Sequence, residues 1–294
     1  MSDFDPEVRN TGLWATDAAR ISKGEAVSVV LERQGKLAPP DLSGIEAVQM
    51  GHVMQPIIGK LAAQALDMEL EPEDGIAVHP RLSYMKSHTD FRGDGLLVEA
   101  KNLSAFAAKQ FDKDQNIVPF YYRAQCIHEA ACWGVDRVVL AVLFGGQNFE
   151  MFDLRFTQHE IDVHCVEMAR IWAHVVGGTI PEPRSVEDCK LAYSVSNPSV
   201  SIATQAVERA VQSLKTIKDD IKRLESAEAD LQAQILAWMG RHEALVTVGD
   251  EVLATWKSSK ASKKFDAKLF QTAMPDIHAQ FIVEQPGSRR FLIK

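Results

Sequence analysis

The sequence predicts a mixed α/β domain followed by one long helix and a small β-containing appendage. Three observations carry this. Arg137–Phe144, RVVLAVLF, is a continuous apolar run, the pattern of a strand buried on both faces. Segments with helix starts and glycine stops flank it on both sides, so helices and strands alternate. From Ile202 to Met239 the apolar residues step by threes and fours, a helical period.

Taken in order, Val53–Leu66 reads as a helix beginning near Pro56, because proline suits a first turn. Leu96–Lys101 reads as a strand entered through the Asp94-Gly95 turn. Pro119–Trp133 reads as a helix with proline in its first turn and Gly134 at its end. After Arg137–Phe144, Gly145-Gly146 turns the chain into Phe149–Phe156, an alternating, half-exposed strand. Gln158–Val176 is a helix capped by Thr157 and stopped by Gly177-Gly178. Val207, Val211, Leu214, Ile217, Ile221, Leu224, Leu231 and Ile235 mark the long amphipathic stretch, which calls for a partner in the same chain or another copy. In the tail, LVTVGDEVLATWK alternates around a Gly-Asp turn, and RRFLIK reads as a closing strand.

With 46% apolar and 24% charged residues, the 294-residue chain has the composition of a folded protein. No apolar run approaches the roughly 20 residues of a membrane span. The opening MSDFDPEV is acidic rather than leader-like, so a cytoplasmic location is expected. A net charge of −8 argues against a generic nucleic-acid binder. Its distribution softens that objection: residues 199–294 hold 14 basic and 12 acidic side chains, and residues 1–198 hold 18 and 28. Pro181-Glu-Pro183 and the polar Ser194–Ser199 segment lie near this change, which predicts a core over 1–190, a helix over 199–240 and an appendage over 241–294. Cys126, Cys132, Cys165 and Cys189 have no metal spacing and read as small buried hydrophobes. Trp256–Lys268 carries five lysines interleaved with Trp256 and Phe265, either a track for a phosphate backbone or a solvated loop.

The chemistry concentrates in Ser87–Asn102, SHTDFRGDGLLVEAKN. On a strand Glu99 and Lys101 share a face, and the Asp94-Gly95 turn folds Asp90 back toward Glu99. Two carboxylates make a hard-cation site suited to Mg²⁺, with Mn²⁺ as substitute, and the Ala100 carbonyl completes the ligands. Lys101 would lie where an activated water forms. Asp94 competes with Asp90 as ligand, but it sits in the turn itself. His52, His79, His88 and His128 lack ligand spacing and read as scaffold or surface.

These residues resemble the active-site pattern of the YqaJ-like viral recombinase family, relatives of phage lambda exonuclease in the PD-(D/E)XK nuclease superfamily. Asp90, Glu99, Lys101 and Tyr122-Arg-Ala-Gln125 match its Asp, Glu-x-Lys and Tyr-x-x-Gln; Arg137–Phe156 matches its paired strands, and Glu160–Pro183 its closing helix. The resemblance implies a PD-(D/E)XK core, a mixed central sheet flanked by helices. Catalytic roles fall to Asp90, Glu99, Lys101 and Gln125, with Asp90, Glu99 and Ala100 as metal ligands. Arg9 and Thr16 fall at the spacing of a 5′-phosphate site, thr replacing the family's Ser, with Tyr122 also on the DNA side; a surface arginine and a helix-capping threonine are the other reading. Lys23, Arg20 and Arg33 are further cations near that site, and Arg123 a further channel-lining one. Two departures stand out. Gln55 in Gly51-His-Val-Met-Gln55-Pro56 replaces a metal-facing Glu and could hold only a metal-bound water, and Thr89 replaces the Pro before Asp90.

The implied function is a Mg²⁺-dependent 5′→3′ exonuclease on linear double-stranded DNA, producing 3′ single strands for recombination. Its implied setting is a phage- or prophage-encoded protein in a bacterial cytoplasm. The implied partners are DNA ends, further copies in a ring and a single-strand annealing recombinase, with no membrane. The alternatives are a DNA-end-binding or assembly protein with catalysis weakened by Gln55, a PD-(D/E)XK endonuclease, or a structural module.

Overall fold

The computed structural model describes residues 6–283, 287 and 289–294, so most of MSDFDPEV, read above for its charge, lies outside the described residues. The chain forms two compact units, Met1–Ser194 and Val195–Lys294. In chain order the first holds α1 (Pro6–Arg9), β1 (Leu13–Trp14), α2 (Ala15–Ser22), α3 (Ala26–Arg33) and α4 (Glu46–Leu66). Then come β2 (Glu71–Pro72), β3 (Ala77–Val78), β4 (Met85–Ser87), β5 (Phe91–Gly93) and β6 (Leu96–Leu103). It closes with α5 (Phe120–Trp133), β7 (Arg137–Phe144), β8 (Asn148–Arg155), α6 (Gln158–Gly177) and α7 (Val186–Ala192).

The main sheet has the order β2-β5-β6-β7-β8 and is mixed: β6 and β7 run parallel, and the other neighbours are antiparallel. A parallel pair needs a crossover, which α5 supplies between β6 and β7. Strand alternation then divides the core. Leu97, Val138, Leu140 and Val142 face the cluster built with α2, α3, α5 and α6. Val98, Val139 and Ala141 face Ile58 and Ala62 of α4. Gly59 permits that second contact, since a Cβ there would lie 2.2 Å from the Phe91 ring. Gly95, at φ +70°, closes the β5–β6 hairpin. A smaller sheet, β1-β4-β3, is built beside this core. Thr157 caps α6 by accepting from the Glu160 amide while Glu160 accepts from the Thr157 amide, and Gly178 ends it at φ +65°.

The second unit holds α8 (Gln205–Met239), β9 (Ala244–Val246), β10 (Val252–Thr255), α9 (Ala267–Ala273) and α10 (Pro275–Gln280). Thr204 caps α8, and β9 and β10 form the antiparallel pair expected around Gly249-Asp250.

Three expectations are corrected. The helix read from Val53 starts at Glu46 and runs through Pro56, whose exposed position lets water take the carbonyl the ring orphans. Residues 289–294 are not a strand; the short segment has no neighbouring strand to pair with among the described residues. Cys126, Cys132 and Cys165 are buried, but Cys189 is exposed on α7, a helix too short to cover both its faces.

Candidate active site

The β5–β6 hairpin sets the register of the site. Phe91 pairs with Val98, so Asp90, one residue before β5, comes alongside Glu99 and Ala100. The Ala100 amide donates to Asp90 Oδ2 at 2.7 Å. In a strand one residue's N–H and C=O point to the same edge, so the Ala100 carbonyl faces the Asp90 side. The next strand, β7, is served by the odd-numbered residues, as the Gly145 amide donating to the Leu103 carbonyl at 2.7 Å illustrates. Glu99 and Lys101 project to the face covered by α5, where Lys101 Nζ lies 2.6 Å from Glu99 Oε1. Gln125 Nε2 donates to Glu99 Oε1 at 2.5 Å and to Glu129 Oε1 at 3.0 Å. From the other layer, Gln55 Nε2 donates to Asp90 Oδ1 at 2.7 Å. Both helical layers therefore aim an amide at the carboxylates.

The cluster is short of positive charge. Burial, and then the charge on Glu99, raises the Asp90 pKa. Burial works against the charge on Lys101, but Glu99 and Asp90 outweigh it and the ammonium holds its proton more tightly than usual. Glu129 is fully buried, its carboxyl is pushed well above the carboxylate range by burial and by Glu99, and its Oε2 has no partner. Two carboxylates on adjacent strands with a backbone carbonyl between them fit a hard divalent cation, which would relieve their repulsion. Among the described residues no three His, Cys, Asp or Glu side chains converge on one metal position. That donor set suits an ion that keeps several waters, as Mg²⁺ does.

A cavity of about 160 Å³ connects this cluster to the N-terminal segment. It runs from Arg9, Trp14 and Thr16, past His88 and Thr89, to Asp90, Glu99 and Gln125. At about 30 Å³ per water it holds about five waters, room for a phosphate group rather than a base. Arg9 Nη2 donates to Thr16 Oγ1 at 2.7 Å, and Trp14 stacks on His88 at 5.2 Å. Thr16 lies inside α2, whose N-cap is Trp14; Asp17 accepts the Trp14 amide at 2.9 Å, so Thr16 is not the helix cap.

The structure thus brings Asp90, Glu99, Ala100, Lys101, Gln125 and Gln55 together, and sets Arg9 and Thr16 at the far end of the same cavity. Tyr122 stands outside the lining: it stacks on Phe111 at 5.9 Å, with Lys101 Nζ 5.9 Å from its ring. Other candidates are used elsewhere. Arg33 is buried in a bidentate pair with Asp17 at 2.7 and 3.1 Å, and Arg20 is held by Glu32 and Glu25. Lys23 sits over the Tyr121 ring, and Arg123 pairs with Glu160 at 2.6 Å, tying α5 to α6. Asp94, opposite Gly95 in the hairpin turn, is four residues or about 13 Å along β6 from Glu99 and lies away from the cluster. His88 is more than surface, since it lines the cavity.

Two site residues escaped the sequence reading. Thr89, 3% exposed, has a hydroxyl without a partner beside Asp90; its signal was the replaced Pro. Glu129 lies one helical turn after Gln125, and its signal was a lone carboxylate in the apolar run AQCIHEAACW. A larger groove of about 820 Å³, lined by His79, Arg81, Asp136, Arg155 and Gln158, lies by the Gly95 turn and brings no carboxylate pair together.

No curated protein sequence matches the chain. Among solved structures it is similar to an alkaline exonuclease from Laribacter hongkongensis, with 12% identity over 58% of this chain and 91% of that one and a TM-score of 0.48. It is also similar to a phage-related exonuclease from Haemophilus somnus 129PT, with 11% identity over 59% and 98% and a TM-score of 0.45. The model of the YqaJ-like viral recombinase domain matches residues 6–136, a span that includes Arg9, Thr16, Gln55, Asp90, Glu99, Lys101 and Gln125.

Proposed function

We propose that the protein is a divalent-metal-dependent 5′→3′ exonuclease on linear double-stranded DNA, hydrolysing phosphodiester bonds and leaving 3′ single strands for phage-type homologous recombination. The observation that carries this reading is the continuous cavity from Arg9 and Thr16 to Asp90 and Glu99. One end suits a terminal phosphate, and the other suits the hydrolysis of a phosphodiester. Mg²⁺ is the cation of choice, with Mn²⁺ as substitute. Catalysis belongs to the core over 1–190, in a bacterial cytoplasm, with a ring of copies and a single-strand annealing recombinase as partners by family resemblance.

Asp90, Glu99 and the Ala100 carbonyl would hold the cation, which would supply charge neutralisation at the scissile phosphate and acidify a water. Lys101 donates to that water or to the phosphate oxygen on which charge grows. Both N–H bonds of the Gln125 amide are taken by Glu99 and Glu129, which leaves its carbonyl oxygen to accept from the attacking water. Water attacks phosphorus and gives up a proton to solvent, the bond to the 3′-oxygen breaks, and that oxygen takes up a proton from solvent and leaves as the 3′-hydroxyl, the new strand end keeping the 5′-phosphate. Arg9, Thr16 and the Thr89 hydroxyl hold the 5′-phosphate.

The test incubates 5′-phosphorylated and 5′-hydroxyl linear duplexes and a closed circle with the protein and Mg²⁺. Rapid loss of the phosphorylated duplex and an intact circle are expected, whereas digestion of the circle redirects the reading to an endonuclease. A second reading rests on Gln55, whose neutral amide occupies an Asp90 oxygen: an end-binding protein with weak catalysis. Large activity gained only on Gln55→Glu substitution favours it.

A further inference from the structure

The second unit carries an apolar seam that the nuclease reading does not use. Along α8, Val207, Val211 and Leu214 are followed by Ile217, Ile221, Leu224, Leu231, Ile235 and Trp238 at coiled-coil steps, with a second consecutive step of three between Leu214 and Ile217 and a gap of seven, spanning Glu228, between Leu224 and Leu231. Most are open to solvent: Ile217 is 53%, Leu224 64%, Leu231 60% and Trp238 81% exposed. Two features specify what covers them. The seam nearly mirrors itself about the point between Lys222 and Arg223: Val207 mirrors Trp238, Leu214 mirrors Leu231 and Ile221 mirrors Leu224, with Ile235 one position from the mirror of Val211. Charge also divides at that point. Residues 205–223 hold five basic and three acidic side chains, and residues 224–239 hold Glu225, Glu228 and Asp230 with no base.

We infer that α8 pairs antiparallel with α8 of a second copy of this chain. In that register seam position meets seam position, Lys215 comes level with Asp230, and Lys218 comes within one residue of Glu228 of the other copy. A parallel pair would instead stack Glu228 on Glu228 inside the seam and the basic half on the basic half. Glu228 therefore acts as a register device, a single charged seam position satisfied in one alignment only. The helix is about 52 Å long and the contact stripe about 10 Å wide, on the order of 1,000 Å² across the pair, the lower limit for a specific interface. The inference does not depend on the nuclease reading, and either can fail alone.

The test uses the full chain in a Cys189→Ser background, spin-labelled at Lys222→Cys or at Gln212→Cys. An antiparallel pair gives about 20 Å between the two Lys222 labels and about 35 Å between the Gln212 labels. Lys215→Glu with Lys218→Glu should weaken the dimer at least tenfold. Adding Glu228→Lys and Asp230→Lys to the same chain should restore it. A monomer at about 50 µM, equal short distances from both labels, or charge swaps without effect would overturn the proposal.

Discussion

Two clusters of buried charge bound the same cavity, and they are built on opposite principles. Around Asp17 the charges are satisfied: Arg33 binds it with two nitrogens, the Trp14 amide donates to it, and Arg9 Nη2 lies 3.7 Å away. Around Glu99 three buried or half-buried carboxylates, Asp90, Glu99 and Glu129, share one lysine, and a Glu129 oxygen has no partner among the described residues. A balanced buried cluster holds a scaffold together, and an unbalanced one stores a demand for a cation. The first fixes α2, which carries Thr16, and sets Arg9 of α1 beside it; the second has the charge balance that suits a divalent cation.

Breaking the balanced cluster should have the largest effect on folding. Asp17→Ala strips Arg33 of its partner in the core, and a loss of about 3–5 kcal/mol is expected. Denaturant unfolding measures it, and a loss below about 1 kcal/mol would show that Arg33 finds other partners. The opposite signature belongs to Lys101→Ala: a fall in turnover of about 10²–10³-fold or more on linear duplex, with the fold retained in Mg²⁺. Undiminished degradation would remove Lys101 from the chemistry.

The pH dependence of stability separates the clusters in a second way. Without metal, the raised Asp90 pKa contributes stability at low pH that is lost as pH climbs from the ordinary carboxylate value through the raised one. Mg²⁺ should abolish that loss, and Asp90→Asn should abolish both the loss and the Mg²⁺ response. On the acid side, His128 and His164, 3.0 Å apart, are held neutral by burial, with pKa values lowered to about 4 and about 3. A lowered histidine pKa means full stability above about 6.5 and a decline as pH falls toward 4, about 3 kcal/mol for His128 alone. Thermal unfolding from pH 4 to 8, with and without Mg²⁺, checks both arms.

What the sequence disclosed follows the same division. Strand alternation put Glu99 beside Lys101, the Asp94-Gly95 turn returned Asp90 to them, and the glycine stops bounded the helices, all local physics that a linear reading can follow. Arg33 could not be read this way, because its fate depends on Asp17, 16 residues away on a neighbouring helix. Arg123 looked like a channel cation and is instead consumed by Glu160, 37 residues away. The start of α4 was missed because proline preference for a first turn is weak against a helix whose Pro56 side faces water. Glu129 was hidden because a carboxylate in an apolar helix has meaning only once Gln125 and Glu99 are seen around it.

The smallest expected effect lies between the two clusters, at Thr89. Thr89 lines the cavity between Arg9 and Asp90, and its hydroxyl is buried with no partner among the described residues. An unpaired buried hydroxyl costs stability unless a bound group completes it, so the free protein should tolerate Thr89→Val without loss. The bound protein should not: loss of one hydrogen bond to a charged phosphate is worth about 1.5–3 kcal/mol, about 10- to 100-fold in affinity. Fluorescence anisotropy in metal-free buffer with 5′-phosphorylated and 5′-hydroxyl duplexes measures this directly. Thr89→Val should narrow the preference for the phosphorylated end, and Thr89→Ser should keep it. If the preference survives in Thr89→Val but is lost in Arg9→Ala, the phosphate sits nearer the balanced cluster. In that case the Thr89 hydroxyl is completed by water rather than by the DNA end.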